Sequence, residues 1–424
     1  MRILVFLNEL GLGGSGKAAC HWTRLLHKRG HDLQVVSLRE GPRRTELEQD
    51  ALDVRIVAPE PEAIRQLLQD FRPEVIHAHA PGHPHVGDVL GAALAKLPRI
   101  PLVQTNIFGR FENPKENAWT DFRLFISWTS CVQAARRSFQ RLDEGFFRNA
   151  SVAVYPLKMD EGPSQAEIKA FRAKHGVQPD EVLLGRLSRP EPNKWTDLAI
   201  DSFRLAARLH PEIKLLLREP PPAIRLKLEA APDRDRFVVL PATNDSRELT
   251  LTMASLDAVL HASIIGESFG YGIAEPMNLG KPVIVNSTPW QDQAQIELVR
   301  HNECGIIASN EERMADAISK FARDKEFRTQ LGRNAKLHIR KLANPQVSVD
   351  RLEEVLQLAI SDTPNPHAGE DLRNAEAAAK YLDEQQFGHT WSEQLGLRPF
   401  HYRVRFHELR HAIRSWLGRT CLLA

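Results

Sequence analysis

Short apolar runs of strand length alternate with segments of helical periodicity along most of the chain. The first two apolar runs are Arg2–Leu7 and Leu33–Leu38. Between them lie a glycine-rich loop and a segment with helical periodicity, Gly16–Lys28, which ends before Gly30. Fully apolar strands joined through helices are typical of βαβ units, whose parallel sheets are covered on both faces. The chain therefore begins as an α/β domain.

The alternation occurs twice, which predicts two doubly wound halves. The further strands predicted in the first half are Val54–Val57, Val75–His77, Leu102–Thr105 and Leu124–Ser127. Those predicted in the second half are Val182–Gly185, Ile213–Leu217, Phe237–Leu240, Ala258–His261 and Pro282–Val285. We predict two Rossmann-like domains at 1–160 and 165–345, a helix at 346–362 that returns toward the first domain, and a helical basic tail at 363–424.

Composition agrees with a soluble globular protein of two domains. The chain has 424 residues, of which 42% are hydrophobic and 26% charged, and its net charge of +2 does not favour polyanion binding by charge alone. The four cysteines form no CxxC pair, so they indicate a reducing compartment rather than a disulfide framework or zinc knuckle. No apolar stretch has the length of a membrane span. We expect a cytoplasmic protein that can lie at the inner face of the membrane.

The loop after the first strand reads Gly11-Leu-Gly-Gly-Ser-Gly-Lys17 and is followed by Ala18. It nearly matches a P-loop, but alanine lacks the hydroxyl that a P-loop places on Mg²⁺. Glycines at a strand-to-helix turn also let a phosphate approach backbone N–H groups at a helix N-terminus. A P-loop nucleotidase, a different phosphate-binding turn and a tight turn without a ligand all stay open at this point.

Two glutamates, Glu267 and Glu275, flank a glycine-containing helix start in the second half. The N–H groups of Gly270 and Tyr271 would point out of this helix end, where they can receive a pyrophosphate. An ordinary capped helix would need neither the glycines nor the acid in the preceding loop. We therefore predict that this segment binds a ligand.

Two basic residues, Arg186 and Lys194, follow the first strand of the second half. Both could converge on a diphosphate and neutralise the charge that develops on a leaving nucleotide. A solvated basic loop is the alternative, and it becomes less favoured beside the glutamate pair.

These segments resemble the retaining GT-B glycosyltransferases, a family that includes mannosyltransferases and sucrose synthases. The matching segments span residues 1 to 360 in the expected order: the glycine loop near residue 14, Val-Ile-His77-Ala-His79, Gly-Arg186-Leu with Lys194, Leu-Pro-Ala-Thr-Asn244-Asp, Glu267-x7-Glu275 and Gly280-Lys-Pro-Val. The resemblance implies two Rossmann-like domains that face a cleft. It also implies transfer of a sugar from a nucleotide-sugar donor, with retention, without a metal or other cofactor.

The resemblance also assigns roles to residues. Glu267 would hold the donor sugar, Glu275 the ribose, and Arg186 with Lys194 the diphosphate, so that Glu267, Arg186 and Lys194 form the predicted catalytic set. The other predicted contacts to the sugar donor are Gly13, Gly14, Asn106, Asn244, Phe269, Gly270 and Tyr271. Asn106 stands where the family has a histidine, and an amide can hydrogen-bond a sugar but cannot act as a base. Arg218-Glu219-Pro-Pro-Pro stands where the family often has glycines.

Two patterns, one rich in histidine and one acidic, resemble metal-binding sites. His77 and His79 open a run of four histidines, which predicts acceptor contact or loop packing rather than zinc, because no cysteine or acid lies nearby. The run is expected at a strand end that faces the cleft. Asp233-Arg-Asp235 matches a metal-binding pattern of another glycosyltransferase fold, and is expected to be solvated surface.

In the segment 398–419, aromatic and aliphatic residues recur at heptad-like spacing, and other positions hold Arg403, Arg405, Arg410, Arg414 and Arg419. A basic amphipathic helix can lie on an anionic membrane, and the alternative is that its apolar stripe packs on the protein. The acceptor could be a glycan, a lipid-linked molecule or a small molecule, and we expect no nucleic-acid partner. The competing functions are a P-loop nucleotidase and a non-catalytic GT-B protein that binds sugars or acts as a scaffold.

Overall fold

The computed structural model describes residues 1–81, 88–111, 114–289 and 291–385, and these residues form two compact units. The first unit comprises residues 1–158 and 342–380. The second comprises residues 159–341 together with 381–385. Each unit has its own parallel sheet and its own apolar core.

The first unit alternates strands and helices from its first residues. Its strands are β1 (Arg2–Leu7), β2 (Asp32–Ser37), β3 (Asp53–Ile56), β4 (Val75–Ala80), β5 (Leu102–Asn106), β6 (Phe122–Phe125) and β7 (Ala150–Val152). Its helices are α1 (Gly14–Lys28), α2 (Arg43–Gln49), α3 (Pro61–Phe71), α4 (Val89–Leu94), α5 (Pro114–Trp119), α6 (Trp128–Arg137) and α7 (Glu144–Phe147). In the described part of this unit the sheet has seven parallel strands in the order β3-β2-β1-β4-β5-β6-β7.

The second unit repeats this organisation. It contains α8 (Gln165–Lys174), β8 (Val182–Leu187), α9 (Leu198–Ala207), β9 (Ile213–Arg218), α10 (Pro222–Glu229), β10 (Phe237–Leu240), α11 (Ser246–Ala254), β11 (Ala258–His261), α12 (Tyr271–Asn278), β12 (Val283–Val285), α13 (Ala294–Leu298), β13 (Gly305–Ile307), α14 (Glu311–Arg323) and α15 (Lys325–Leu342). Over the residues described here, its sheet has six parallel strands in the order β10-β9-β8-β11-β12-β13.

Two further helices, α16 (Pro345–Ser361) and α17 (Ala368–Gln385), end the described chain. Within the first unit, α16 packs against α1 and against β4, β5 and β6. The indole of Trp22 on α1 donates a 2.8 Å hydrogen bond to Ser348 Oγ on α16. Ser348 in turn donates to the carbonyl of Val154 at 2.5 Å. Residues far apart in the sequence therefore close the core of the first unit.

Each sheet has one position where the strand order reverses: after the first strands have been added on one side of the sheet, the later strands are added on the other side. In the first unit this position lies between β1 and β4, which pair in parallel with Val5 opposite His77. In the second unit it lies between β8 and β11, with Gly185 opposite Val259. Ligands of open α/β sheets bind outside the carboxyl ends of the strands at such switch points.

The strands predicted from the sequence agree with those of the structure, except that two short strands were missed and some strands continue beyond their predicted ends. Two strands of three residues each, Ala150–Val152 and Gly305–Ile307, were not predicted, because they are short and include Ala, Ser or Gly, which carry little strand signal. The fourth strand was predicted at Val75–His77 and continues to Ala80. The first strand of the second half was predicted at Val182–Gly185 and continues to Leu187, so Arg186 lies within the strand and not after it. Among the described helices, none has both the length and the apolar character needed to cross a bilayer.

Candidate functional site

The switch point of the second unit brings together two loops that follow buried strands. One loop follows β8 and contains a short 3₁₀ turn at Pro192–Lys194. The other follows β11 and leads through Gly266 and Gly270 into α12. The predicted residues Lys194 and Glu267 lie on these two loops, so the topology alone places them at the same edge of the sheet.

Lys194 and Glu267 form an ion pair across the switch point. The ammonium Nζ of Lys194 lies 2.9 Å from Glu267 Oε2 and donates a second bond of 3.0 Å to the carbonyl of Gly266. Their side chains are 14% and 15% exposed. Among the described residues these contacts use two of the three N–H groups of the ammonium, which leaves the third able to bind an anionic ligand.

His261, the last residue of β11, holds the other oxygen of the same carboxylate. Its Nε2 lies 3.0 Å from Glu267 Oε1, and its Nδ1 lies 3.2 Å from Arg186 Nη1. A guanidinium can only donate, so Nδ1 accepts and the ring proton lies on Nε2. Burial, assisted by the charge of Arg186, lowers the pKa of His261 to about 4. The imidazole is therefore neutral at neutral pH, and it donates to Glu267.

Glu267 is an anion in this environment. Burial alone would raise the pKa of its carboxyl group, but the charge of Lys194 and the hydrogen bond from His261 together lower that pKa to about 2. A carboxylate with so low a pKa stays ionised at neutral pH, so it can only accept hydrogen bonds, and it is a weak general base.

Arg186 is placed differently from the sequence prediction. Only 1% of its surface is exposed, and its guanidinium lies 4.8 Å from the ring of Trp195. Its Nη2 donates to the carbonyls of Lys194 and of Ala262, the latter at 2.9 Å. Its Nη1 donates to the carbonyl of Leu187 at 3.2 Å, besides contacting the histidine described above. Because the terminal nitrogens bind protein acceptors, Arg186 supports the site in this structure, and its predicted contact with a diphosphate stays a prediction.

Two glycines shape the loop that carries Glu267. Gly266 has a φ of +64°, and a Cβ on this residue would lie 1.7 Å from the carbonyl oxygen of Asp292. Gly270 has a φ of +102° and is the N-cap of α12. Both positions require the left-handed conformation that glycine adopts without strain. The helix N-terminus, with its partial positive charge, consequently begins three residues after the Glu267 carboxylate.

Gln295 on α13 supports this loop and was not predicted from the sequence. Its Oε1 accepts a 3.0 Å hydrogen bond from the backbone N–H of Glu267. Its Nε2 donates to Thr288 Oγ1 at 2.7 Å, and the side chain is fully buried. A polar residue buried in a short helix could have suggested such a role, but its partner lies 28 positions away.

The remaining residues of the acidic segment lie on or beside α12. Phe269 is 3% exposed, and its ring centre lies 4.9 Å from that of Tyr271. Glu275 is on the second turn of α12 and is partly exposed. The predicted contacts of these residues, and of Gly270, with a sugar donor stay predictions.

Asn244 is exposed in the loop that follows β10. This loop is held by Arg218 at the end of the neighbouring strand β9, whose Nη1 donates to the carbonyl of Pro241 at 3.0 Å. Arg218 Nη2 also donates to Glu248 Oε1 at 2.9 Å, while Thr243 donates to the other oxygen of Glu248 at 2.7 Å. The arginine that replaces the family's glycine therefore orders the loop predicted to line the base.

In the first unit, the glycine loop follows β1 and leads into α1. Gly13 is the N-cap of this helix and Gly14 is its first residue. Arg43 on α2 supports the loop, since its Nε donates to the carbonyl of Gly11 at 3.2 Å. Ala18 is fully buried, so its position offers neither a hydroxyl nor access to a cation. The contacts predicted for Gly13 and Gly14 stay predictions.

Asn106 ends β5 and uses its amide within its own turn. Its Nδ2 donates to the carbonyl of Arg110 at 2.6 Å, and its Oδ1 accepts from the N–H of Arg110 at 3.1 Å. The side chain is fully buried. These bonds assign Asn106 a local structural role, and its predicted contact with the sugar donor stays a prediction.

His77 and His79 lie within β4, not at a strand end as expected from the sequence. The two rings are 4.5 Å apart, and His77 Nε2 lies 2.7 Å from Thr105 Oγ1. The ring of Trp22 lies 5.8 Å and 5.9 Å from them. Burial lowers the pKa of His77 to about 3 and lowers that of His79 as well. This environment favours packing of neutral rings over acceptor contact.

No group of three or more His, Cys, Asp or Glu side chains in the described ranges could hold a metal ion. The acid of the D-x-D pattern, Asp233, instead pairs with Arg204 Nε at 2.9 Å. The predicted basic segment 398–419 lies outside the described residues.

Solved structures similar to this chain define its fold class. Anabaena HepE in complex with UDP-glucose is 19% identical with a TM-score of 0.70, over 84% of this chain and 99% of that one. A glycosyltransferase from Rickettsia africae is 12% identical with a TM-score of 0.71, over 85% and 99%. Sucrose-phosphate synthase from Thermosynechococcus elongatus is 16% identical with a TM-score of 0.65, over 86% and 100%. At these identities the likeness shows the fold alone, and it confirms the predicted GT-B class.

Family models identify the chain more closely. The model described as "Glycosyl transferases group 1" matches residues 167–338, and the model described as "Glycosyl transferase 4-like domain" matches residues 13–184. The chain therefore belongs to the group 1 glycosyltransferases and is an enzyme of sugar transfer. No curated protein sequence matches it significantly. The P-loop nucleotidase is accordingly not favoured.

Proposed function

We propose that this glycosyltransferase takes its sugar from a nucleotide-sugar donor bound at the switch point of the second unit. The observation that carries the proposal is the ion pair of Lys194 and Glu267, which stands beside the N-terminus of α12. A diphosphate needs positive charge and N–H groups, and a sugar needs an oriented acceptor of hydrogen bonds. The pair and the helix end supply all three. The complexes of HepE with UDP and with UDP-glucose make UDP-sugars the first donors to test.

In this proposal Lys194 binds the diphosphate through its remaining N–H, and the N-terminus of α12 approaches the same anion. Glu267 keeps lone pairs on both oxygens after accepting from His261 and Lys194, and it accepts from hydroxyl groups of the donor sugar. Glu275 on the helix binds the ribose, and the loop that contains Asn244 lines the base. Arg186 supports the site through Lys194 and His261.

We further propose that transfer occurs with retention and without a metal. Glu267, with a pKa of about 2, is too weak a base to deprotonate an acceptor hydroxyl at neutral pH. In the proposed step the acceptor oxygen bonds to the anomeric carbon on the face from which the diphosphate leaves, and the departing phosphate oxygen receives the proton. Positive charge from Lys194 and the helix end takes the place of a cation. Proton NMR of the product formed from an α-linked donor tests this step, and a β-linked product would contradict retention.

A thermal-shift panel tests the donor class. UDP, GDP, ADP, CMP and their sugars are each added to the wild-type enzyme, because a ligand that binds the native state raises the melting temperature. We expect one nucleoside diphosphate and its sugars to raise it, and the Lys194→Ala variant to lose much of the rise. A wild-type protein that responds to none of them would refute the proposal.

Slow hydrolysis of the same nucleotide sugar separates an enzyme from a non-catalytic GT-B protein. Enzymes of this kind can pass the sugar to water when no acceptor is present, so we expect free sugar and nucleoside diphosphate to accumulate. Binding without any hydrolysis, even at high enzyme concentration, would favour the sugar-binding or scaffold alternative.

A further inference from the structure

The four residues at the switch point form a closed ring of hydrogen bonds. Glu267 Oε1 accepts from His261 Nε2, and His261 Nδ1 accepts from Arg186 Nη1. Arg186 Nη2 donates to the backbone carbonyl of Lys194, and Lys194 Nζ donates back to Glu267 Oε2. One oxygen of the carboxylate is thus held from the end of β11, and the other from the loop that follows β8. Neither the sequence reasoning nor the family resemblance assigned any role to the histidine in this ring.

We propose that His261 is a positioning residue for sugar transfer, which links the Arg186 guanidinium to the Glu267 carboxylate and holds that carboxylate in the orientation that receives the donor sugar. This inference rests on the proposed function of the site. The imidazole is suited to the task because one ring nitrogen accepts while the other donates, about 2 Å apart along a rigid ring. A flexible side chain would have to lose more conformational entropy to join the same two partners.

The carboxylate of Glu267 needs a second hydrogen bond, besides the one from Lys194, to be held in one orientation. An ion pair with Lys194 alone would fix one oxygen and leave the carboxyl plane free to rotate about the bond to Cγ. The second bond, from His261, defines that plane. Because the histidine is only 2% exposed and ends a central strand, its own position is set by the sheet. Catalytic groups need such support to stay within a fraction of an ångström of their productive geometry.

Three substitutions at one position separate the two bonds that the imidazole makes. His261→Phe removes both. His261→Gln keeps an N–H near the position of Nε2, within reach of Glu267, whereas His261→Asn keeps an acceptor near the position of Nδ1 for Arg186. We expect His261→Phe to lower kcat/KM for the nucleotide sugar about tenfold to a hundredfold, as for loss of a hydrogen bond to a charged group. We expect His261→Gln to recover most of the loss and His261→Asn to recover little.

Binding measurements add a readout that a general packing role would not change. The affinity for the nucleoside diphosphate alone should stay within about threefold of wild type, because Lys194 and α12 remain. The affinity for the intact nucleotide sugar should fall more, because the sugar loses its oriented carboxylate. The matched control is His210→Gln, since His210 also contacts a carboxylate of the second unit, Glu212, at 3.1 Å, but away from the site. This control should keep both affinities and kcat/KM.

The outcomes distinguish this inference from the function on which it rests. If the wild-type enzyme uses a nucleotide sugar and the His261→Phe variant is equally active, the positioning role of His261 is refuted, while the proposed function stands. The same holds if Asn restores activity as well as Gln, or if ¹⁵N NMR of the imidazole shows the proton on Nδ1. Should the Phe variant fail to fold, the comparison of Gln with Asn decides. A wild-type protein that neither binds nor consumes any nucleotide sugar overturns the proposed function, and with it the positioning role of His261.

Discussion

Replacement of Glu267 by glutamine tests the electrostatics of the site through stability rather than through catalysis. The substitution keeps the shape of the side chain and removes its charge, so Lys194 loses its anionic partner. The folded-state pKa of Glu267 is about 2 and the reference value is 4.5. At about 1.36 kcal/mol per pH unit, this lowering of the pKa corresponds to roughly 3 kcal/mol of stability at pH 7.

The sign of the pH dependence follows from the direction of that difference. Because folding lowers the pKa, the charged carboxylate stabilises the fold above pH 4.5, and this contribution is lost as the pH falls toward 2. At pH 3.5 the contribution has decreased to about 2 kcal/mol. Glutamine does not titrate, so the stability gap between wild type and Glu267→Gln should narrow by about 1 kcal/mol between pH 7 and pH 3.5.

Thermal unfolding followed by calorimetry at the two pH values measures this gap. For a unit of this size, about 3 kcal/mol corresponds to a melting temperature lower by roughly 6–12 °C at pH 7. Glu181→Gln is the control, because Glu181 lies 3.3 Å from Lys214 with similar exposure, 18% and 19%, at the opposite end of the sheet. It should leave sugar transfer unchanged. An equal melting temperature for Glu267→Gln and wild type at pH 7, or a gap of the same size at both pH values, would refute the reasoning.

Four further predictions concern the same enzyme. Lys194→Ala removes a charge-assisted bond to the diphosphate and should lower kcat by about ten- to a hundredfold; unchanged steady-state constants would show that the lysine has no part in catalysis. Gly266→Ala should abolish nucleotide-sugar binding in a titration, because its Cβ would lie 1.7 Å from the carbonyl oxygen of Asp292 at a φ of +64°, and normal binding would show that the loop can shift cheaply. Sugar transfer should survive excess EDTA, and activity that is lost with the chelator and restored by Mg²⁺ or Mn²⁺ would contradict the metal-free site. If the segment 398–419 lies on membranes, truncation at about residue 395 should abolish sedimentation with anionic liposomes and keep nucleotide binding, whereas an insoluble product would favour packing on the protein.

Local pattern was sufficient to predict the doubled α/β architecture, because alternating buried strands and amphipathic helices are encoded by neighbouring residues. It also singled out Lys194 and Glu267 as residues of one site, since residues that follow parallel strands meet at the carboxyl edge of the sheet, but it did not predict their ion pair. It failed for β7 and β13, which are short and, unlike the equally short β12, include Ala, Ser or Gly among their three residues. It likewise ended β4 too early, which is why His79 was expected at a strand end.

Only the tertiary structure decided how the polar groups of the site are paired. Arg186 and His261 are 75 positions apart, and Lys194 and Glu267 are 73 apart, so no local period relates them. The sequence shows that Arg186 is charged, but its burial beneath two loops turns its guanidinium toward protein carbonyls rather than toward a ligand. The role of His261 arises in the same way, because parallel pairing of β8 with β11 brings its ring between a guanidinium and a carboxylate. Patterns along the chain determine which strands form, whereas the contacts between distant strands determine which polar atoms are hydrogen-bonded to each other.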